Sequence, residues 1–176
     1  MTPRVCLIGP ESTGKTTLAT ELARDFATIF VPEFGRYYCE VFGNQCDADD
    51  LRAIVRGHNV MVAAAERKAN RLLILDTDAV MTAIWADILL RQRPADLDRV
   101  DDPADLYLLT DIDVPFKADS IRYFPDQARR AEMLTQCETE LRRRGLPHVL
   151  ISRGRGARLK AATTAIERHF GDRLRR

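Results

Sequence analysis

No apolar run in this sequence is long enough to cross a bilayer. The longest stretches, such as Leu72 to Leu75 and Val60 to Ala65, fall well short of the roughly 20 residues a membrane helix needs. Net charge is also nearly absent: 27 basic against 26 acidic side chains leave +1. No global field therefore recruits nucleic acid. Cysteine is scarce, and Cys6, Cys39, Cys46 and Cys137 lack the paired CxxC spacing of a zinc site. A chain of this size needs no disulfide staples, so all four are expected as reduced thiols, more structural than chemical. The three histidines are not spaced as metal ligands, and His58, in the middle of a helical pattern, is left unassigned. A secretory leader has no room, because the chain enters a strand-like run within five residues. A cytoplasmic protein is the expectation.

What is present is a hydrophobic content of 45% in 176 residues, enough for one well-buried core and most simply one domain over 1–176. Short apolar runs recur at 5–8, 28–31, 72–75, 106–109 and 148–151, with helix-period segments between them. This alternation predicts an α/β fold with a five-stranded, mostly parallel sheet flanked by helices. Leu18, Leu22, Ala23 and Phe26 fall on one face of a helix starting near Lys15. Further helices are expected over 49–70, 79–90, 126–144, where Gly145 and Pro147 stop the pattern, and 156–170. Residues 91–103 and 115–127 lack a period and read as surface excursions.

Between the first run and the first helix stands Gly9-Pro10-Glu11-Ser12-Thr13-Gly14-Lys15-Thr16, an ungapped GxxxxGK[ST] followed by Thr17. Strand before and helix after are the context that this loop needs to cradle phosphate. Its glycines let the backbone curl so that successive N–H groups face phosphate oxygens, and the helix N-terminus adds partial positive charge. Lys15 would reach the β- and γ-phosphates, and Thr16 would bind magnesium. No NKxD-type guanine-reading sequence is present, so ATP is the expected donor.

The run Leu72–Leu75 ends in Asp76, placed to hold a magnesium-bound water beside the loop, or to cap the next helix. Asp78 divides between capping that helix and facing an acceptor. After the second run come Glu33 and Arg36. A carboxylate there lies across the cleft from the loop, which makes Glu33 the candidate general base or hydroxyl orienter. Arg36 is a clamp for the acceptor or the moving phosphoryl group, with a surface ion pair as the alternative. Lys117, Arg122, Arg129 and Arg130 fit a basic lid over about 115–130, or a solvated basic helix end. Arg142 to Arg144 reads as a solvated face. Arg153-Gly154-Arg155-Gly156 divides between approaching an adenine and an ordinary turn. Trp85 shares a helix face with Met81, as core or as an acceptor contact.

These residues resemble the ribosylnicotinamide kinase domain of NadR-type proteins, a P-loop family. The resemblance runs through GPESTGKTT at 9–17, PEFGRYY at 32–38, GH at 57–58, AN at 69–70, DTD at 76–78 and DVPFKADSIR at 113–122, covering nearly the whole chain. It implies transfer of the ATP γ-phosphate to the 5′-hydroxyl of nicotinamide riboside. It also implies ATP and magnesium on Lys15 and Thr16, with Glu33, Arg36, Asp76, Asp78, Asp119 and Arg122 around the reaction. Arg130 falls where the family has an arginine opening the helix after the lid. Pro32, Met61 and Ser120 depart from the family pattern on the acceptor side. In bifunctional members a nucleotidyltransferase domain precedes this one; because the similarity starts at residue 3, that activity is expected to be absent. Two further readings stand beside it: a kinase of another nucleoside-like acceptor or of a nucleoside monophosphate, and a nucleotide-dependent switch.

Overall fold

Each apolar run becomes a strand, buried at the centre of the sheet and open at one edge, where Val149 and Leu150 are exposed, and the computed structural model, which describes residues 2–117 and 126–174, joins them into one sheet. The elements follow in the order β1 (Arg4–Ile8), α1 (Lys15–Asp25), β2 (Phe30–Val31), α2 (Phe34–Phe42), α3 (Ala48–Glu66) and β3 (Leu73–Asp76). They continue with α4 (Ala79–Leu90), α5 (Ala95–Asp98), β4 (Leu106–Thr110), α6 (Gln127–Arg143), β5 (His148–Ile151), α7 (Arg155–Phe170) and a closing 3-10 turn, Gly171–Leu174. Strand order is β2-β3-β1-β4-β5, and the paired strands are parallel without exception among the described residues, rather than mostly so. Central β1 sets Cys6 beside Leu75 on one side and Tyr107 on the other.

Alternation along the strands divides the core. Val5, Leu7, Ile74 and Leu108 face one side, where Leu18 and Leu22 of α1 and Ala162, Ile166 and Phe170 of α7 cover them. Cys6, Ile8, Leu75 and Leu109 face the other, against Val80, Met81 and Ile84 of α4 and Met133, Cys137 and Leu141 of α6. Both faces of β1, β3 and β4 are covered, which is why those strands read as continuous apolar runs, while Val149 and Leu150 of edge strand β5 stay exposed. A third cluster, Leu51, Ile54, Ala86 and Leu97, ties α3, α4 and α5 together with Phe34 and Tyr38 of α2. No helix among the described residues is long and apolar enough to cross a membrane.

Three differences from the sequence expectation have local causes. Helix α2 was not anticipated; Phe34 and Tyr38, four residues apart, pack onto the third cluster, and the Tyr38 and Phe42 rings stand 4.7 Å apart. The polar stretch 91–103 is no plain excursion, since it carries α5 and buries Leu97. The tract Arg142–Arg144 is not simply solvated. Arg143 and Arg144 join Arg93 around Glu140 and Asp98, with Arg93 Nη1 2.6 Å from Glu140 Oε1 and Arg144 Nε 2.7 Å from it. Helix α3 starts where Asp47 and Asp50 form a reciprocal capping box.

Candidate functional site

In an all-parallel sheet the carboxyl ends of the strands share one edge, and the chain reverses its direction of travel across the sheet at β1. The loop after β1 therefore sits at the crevice. Gly9 has φ +140°, and a Cβ there would stand 2.6 Å from Thr110 Oγ1 and 2.8 Å from the Thr110 carbonyl oxygen, so only glycine fits. Gly14, at φ +82°, opens α1, and Ser12 also takes a left-handed conformation. The buried Thr13 hydroxyl donates to the Pro10 carbonyl at 2.8 Å and lies 2.7 Å from Thr110 Oγ1. Lys15 Nζ donates to the Gly9 and Pro10 carbonyls at 3.0 and 2.9 Å, so the loop curls around its own ammonium group.

At the neighbouring strand end, two carboxylates go to different work. Thr16 Oγ1 donates to Asp76 Oδ2 at 2.5 Å, while the buried Asp76 Oδ1 has no hydrogen-bond partner. Burial raises the Asp76 carboxyl above its ordinary range, against the pull of Lys15 and Thr16. An orphaned hard oxygen beside a threonine hydroxyl suits an oxygen-seeking divalent cation. Asp78 caps α4, accepting from the Val80 N–H at 2.9 Å, and takes the Tyr107 hydroxyl at 2.5 Å. Between the two stands Thr77 with φ +70°, a β-branched residue in the left-handed region, a strain of about 1–3 kcal/mol. That twist turns Asp76 toward the loop and Asp78 into the helix cap.

A cavity of about 220 Å³ separates the loop from α2, α3 and α4. Of the residues singled out in the sequence, its lining brings together Glu11, Ser12, Thr13, Gly14, Lys15, Thr16, Thr17, Glu33, Arg36, Asp78 and Trp85. Gly9 and Asp76 stand behind that lining, in the contacts given above. Asp119 and Arg122 lie outside the described residues. Glu33 is the N-cap residue of α2, but its side chain does not make the cap bond. Burial pushes its carboxyl up to about 7, with Asp76 adding to the rise and Lys15 and Arg36 opposing it. Arg36 lines the cavity and also forms an ion pair with Glu40 at 3.2 Å.

Arg130 is buried beside the loop rather than spread over the surface. Its Nη2 lies 3.5 Å from the Ser12 carbonyl and 3.4 Å from that of Val114, and its guanidinium stands 5.7 Å from the centre of the Phe116 ring. The Lys117 N–H donates to Ser12 Oγ at 2.7 Å, tying the start of the 115–130 segment to the loop.

Several residues of the site had no role assigned from the sequence. Arg158, 5% exposed, donates to the Thr13 carbonyl at 2.6 Å and to those of Asp111 and Arg153 at 2.8 Å, and also pairs with Asp113. It fastens the phosphate loop to the ends of β4 and β5. The signal was its position: 158, 162, 166 and 170 form the buried stripe of α7. Gly57 admits the Phe34 ring, since a Cβ there would stand 2.3 Å from Phe34 Cε1. His58 is buried on the stripe of α3. Cys39 and Cys46 are free thiols lining the cavity, 3.8 Å apart.

Residues 4–158 match the AAA domain family. The chain is 31% identical over 134 residues to the trifunctional NAD biosynthesis/regulator protein NadR of Escherichia coli (strain K12), covering 73% of this chain and 33% of that protein. It thus spans about a third of the length of that relative. A crystal structure of NadR protein in complex with NR superposes with a TM-score of 0.76 at 24% identity, over 97% of this chain and 51% of the other. A second, NadR protein in complex with NAD and AMP-PNP, gives 0.73 at 25% identity, over 97% and 50%. The fold is that of P-loop kinases.

Proposed function

We propose that this chain, which belongs to the AAA domain family and is of the NadR type, is a nucleoside kinase that transfers the γ-phosphate of ATP to the 5′-hydroxyl of nicotinamide riboside. The product is nicotinamide mononucleotide, made in the cytoplasm by a single P-loop kinase domain over 1–176 with a lid near 115–130. The observation that carries the reading is the placement of Glu33 between two unlike walls of one cavity, the phosphate loop on one side and the apolar faces of α2, α3 and α4 on the other. A carboxylate held near 7 suits a general base: it is ionised enough to act and basic enough to take the proton of an attacking hydroxyl.

In this reading the Lys15 ammonium exchanges the Gly9 and Pro10 carbonyls for the β- and γ-phosphates, and the N–H groups of the loop and of the first turn of α1 hold the remaining oxygens. Gly9, Glu11, Ser12, Thr13, Gly14 and Thr17 shape that cradle, and Arg130 backs it through the Ser12 carbonyl. Thr16 and Asp76 would hold the magnesium ion that accompanies ATP, which neutralises developing phosphate charge. Glu33 accepts the 5′-hydroxyl proton, and Arg36 steadies the phosphoryl oxygens as they move. Trp85 and Phe34 bound the space for the base, and Asp78 holds α4 in place beneath it. Asp119 and Arg122 are assigned to the reacting groups from the lid. The NadR proteins' pairing with NR and with AMP-PNP supports both substrates.

The test is ADP release from purified protein with Mg·ATP, comparing nicotinamide riboside with other ribonucleosides and their monophosphates, and Lys15→Ala as control. Turnover with nicotinamide riboside that falls by about 10³-fold in the control is expected. Turnover with another nucleoside or a monophosphate only would move the acceptor. ATP hydrolysis indifferent to every acceptor would overturn the kinase reading in favour of a switch.

A further inference from the structure

The wall of the cavity opposite the phosphate loop carries the apolar side chains of Phe34, Leu51, Ile54, Met81, Trp85 and Leu89, with Arg36 and Thr82 among them. Within that wall stands one imidazole. His58 is 5% exposed, lines the cavity, and its Nε2 is buried with no hydrogen-bond partner. Its place on α3 is one where an apolar side chain would complete the stripe of Leu51, Ile54 and Val62. A core histidine that serves packing is normally hydrogen-bonded, because an unanswered buried nitrogen costs stability that a leucine or methionine would not. Glu33 and Asp78 also line the cavity, yet neither bonds to His58, and the oxygens of Asp78 are turned to the Val80 N–H and the Tyr107 hydroxyl. The group that answers His58 therefore comes with whatever fills the cavity.

We propose that His58 Nε2 is the specificity group of the acceptor pocket, taking a hydrogen bond from, or giving one to, an uncharged polar substituent on a planar base. The inference rests on the kinase reading above and names the part of the acceptor that the pocket recognises. Burial by itself lowers the imidazole to about 4, so the ring is neutral at physiological pH. A neutral imidazole has one N–H and one bare nitrogen, so Nε2 offers a single bond whose direction depends on the tautomer. A carboxamide carries both a donor and an acceptor and answers either tautomer. A carboxylate answers only one, and would enter an apolar wall as a charge. The carboxamide of nicotinamide riboside is the matching group. Gly57 belongs to the same device, because the Phe34 ring that its missing side chain admits closes the pocket next to His58.

The experiment compares kcat/KM for nicotinamide riboside with that for the N-riboside of unsubstituted pyridine, in the wild type, His58→Ala and His58→Gln. The wild type is expected to prefer the carboxamide by about 10- to 100-fold. His58→Ala is expected to erase that preference through nicotinamide riboside alone, with KM for ATP unchanged, and His58→Gln to restore part of it. A second readout needs no variant: the His58 imidazole nitrogen resonances of the wild-type protein should shift with nicotinamide riboside and not with the pyridine riboside. Equal losses on both ribosides, or unmoved resonances under saturating nicotinamide riboside, overturn the role of His58 while the kinase reading stands. A wild type that phosphorylates neither riboside overturns both.

Discussion

The two walls of the cavity are built on opposite plans. On the phosphate-loop side the protein answers most of its own polar groups, with Asp76 Oδ1 the exception: Lys15 is held by two carbonyls, Thr13 by Pro10, and the Thr13 carbonyl by the buried Arg158. That wall is a preorganised set of dipoles, ready for an anion of fixed shape. On the acceptor side burial moves two ionisable groups off their ordinary values, Glu33 up to about 7 against the pull of Lys15 and Arg36, and His58 down to about 4 with no bond to its Nε2. The donor wall spends its polar groups on geometry; the acceptor wall keeps them for chemistry and recognition.

The largest test of that contrast is Glu33→Gln. In the proposed reaction the carboxylate must be ionised, so kcat/KM should rise through about pH 7, and Gln should cost about 10²- to 10⁴-fold and flatten that limb. Stability should move the other way. The native state keeps the Glu33 proton up to about 7, whereas the carboxyl ordinarily releases it near 4.5, so native stability is lost as pH rises through that window. Thermal unfolding should therefore show Glu33→Gln melting higher than the wild type at pH 8 and close to it at pH 4. An inactive variant with no such gain would mean that the acceptor wall is not strained in the way described.

How far the sequence reveals this site follows the same division. The phosphate loop was legible because its chemistry is backbone chemistry, and backbone curls need glycine at fixed spacing; Gly9 and Gly14 take the unusual φ values that the spacing implied. The strands were legible because a sheet covered on both faces writes itself as apolar runs. On the acceptor wall Glu33, Arg36, Asp78 and Trp85 were legible, but helix α2 was not, since it is short and its packing partners Leu51 and Ile54 are distant in sequence. Arg158 was missed and His58 left unassigned for a related reason: a polar residue adds nothing to an apolar period, although each stands on a buried stripe. A charged or titratable residue in register with a buried stripe is itself a signal. Arg130, in register with Met133, Cys137 and Leu141, is a third instance.

Arg158→Ala carries the contrast to the donor wall. It removes a buried cation that serves three carbonyls and leaves Asp113 without its guanidinium, at an expected loss of about 3 kcal/mol in denaturant unfolding. Because Arg158 lies outside the cavity lining, its kinetic effect should be confined to the loop, raising KM for ATP while KM for the acceptor stays put. An equal rise in both would mean that the two walls are mechanically one.

Gly57→Ala is the smaller and sharper probe of the opposite wall. The added methyl meets the Phe34 ring at 2.3 Å, so the ring or the α2 backbone has to move, an overpacking cost of about 1–3 kcal/mol. Phe34 borders the acceptor space and follows directly on Glu33, so the displacement is expected to raise KM for the acceptor and to leave KM for ATP near its wild-type value. A larger-to-smaller partner change, Phe34→Leu, should relieve the clash and recover part of the stability, since the two residues are in direct contact and their effects do not add. If Gly57→Ala instead disturbed ATP binding, the independence of the two walls would fail at the one point where the acceptor wall has no spare room.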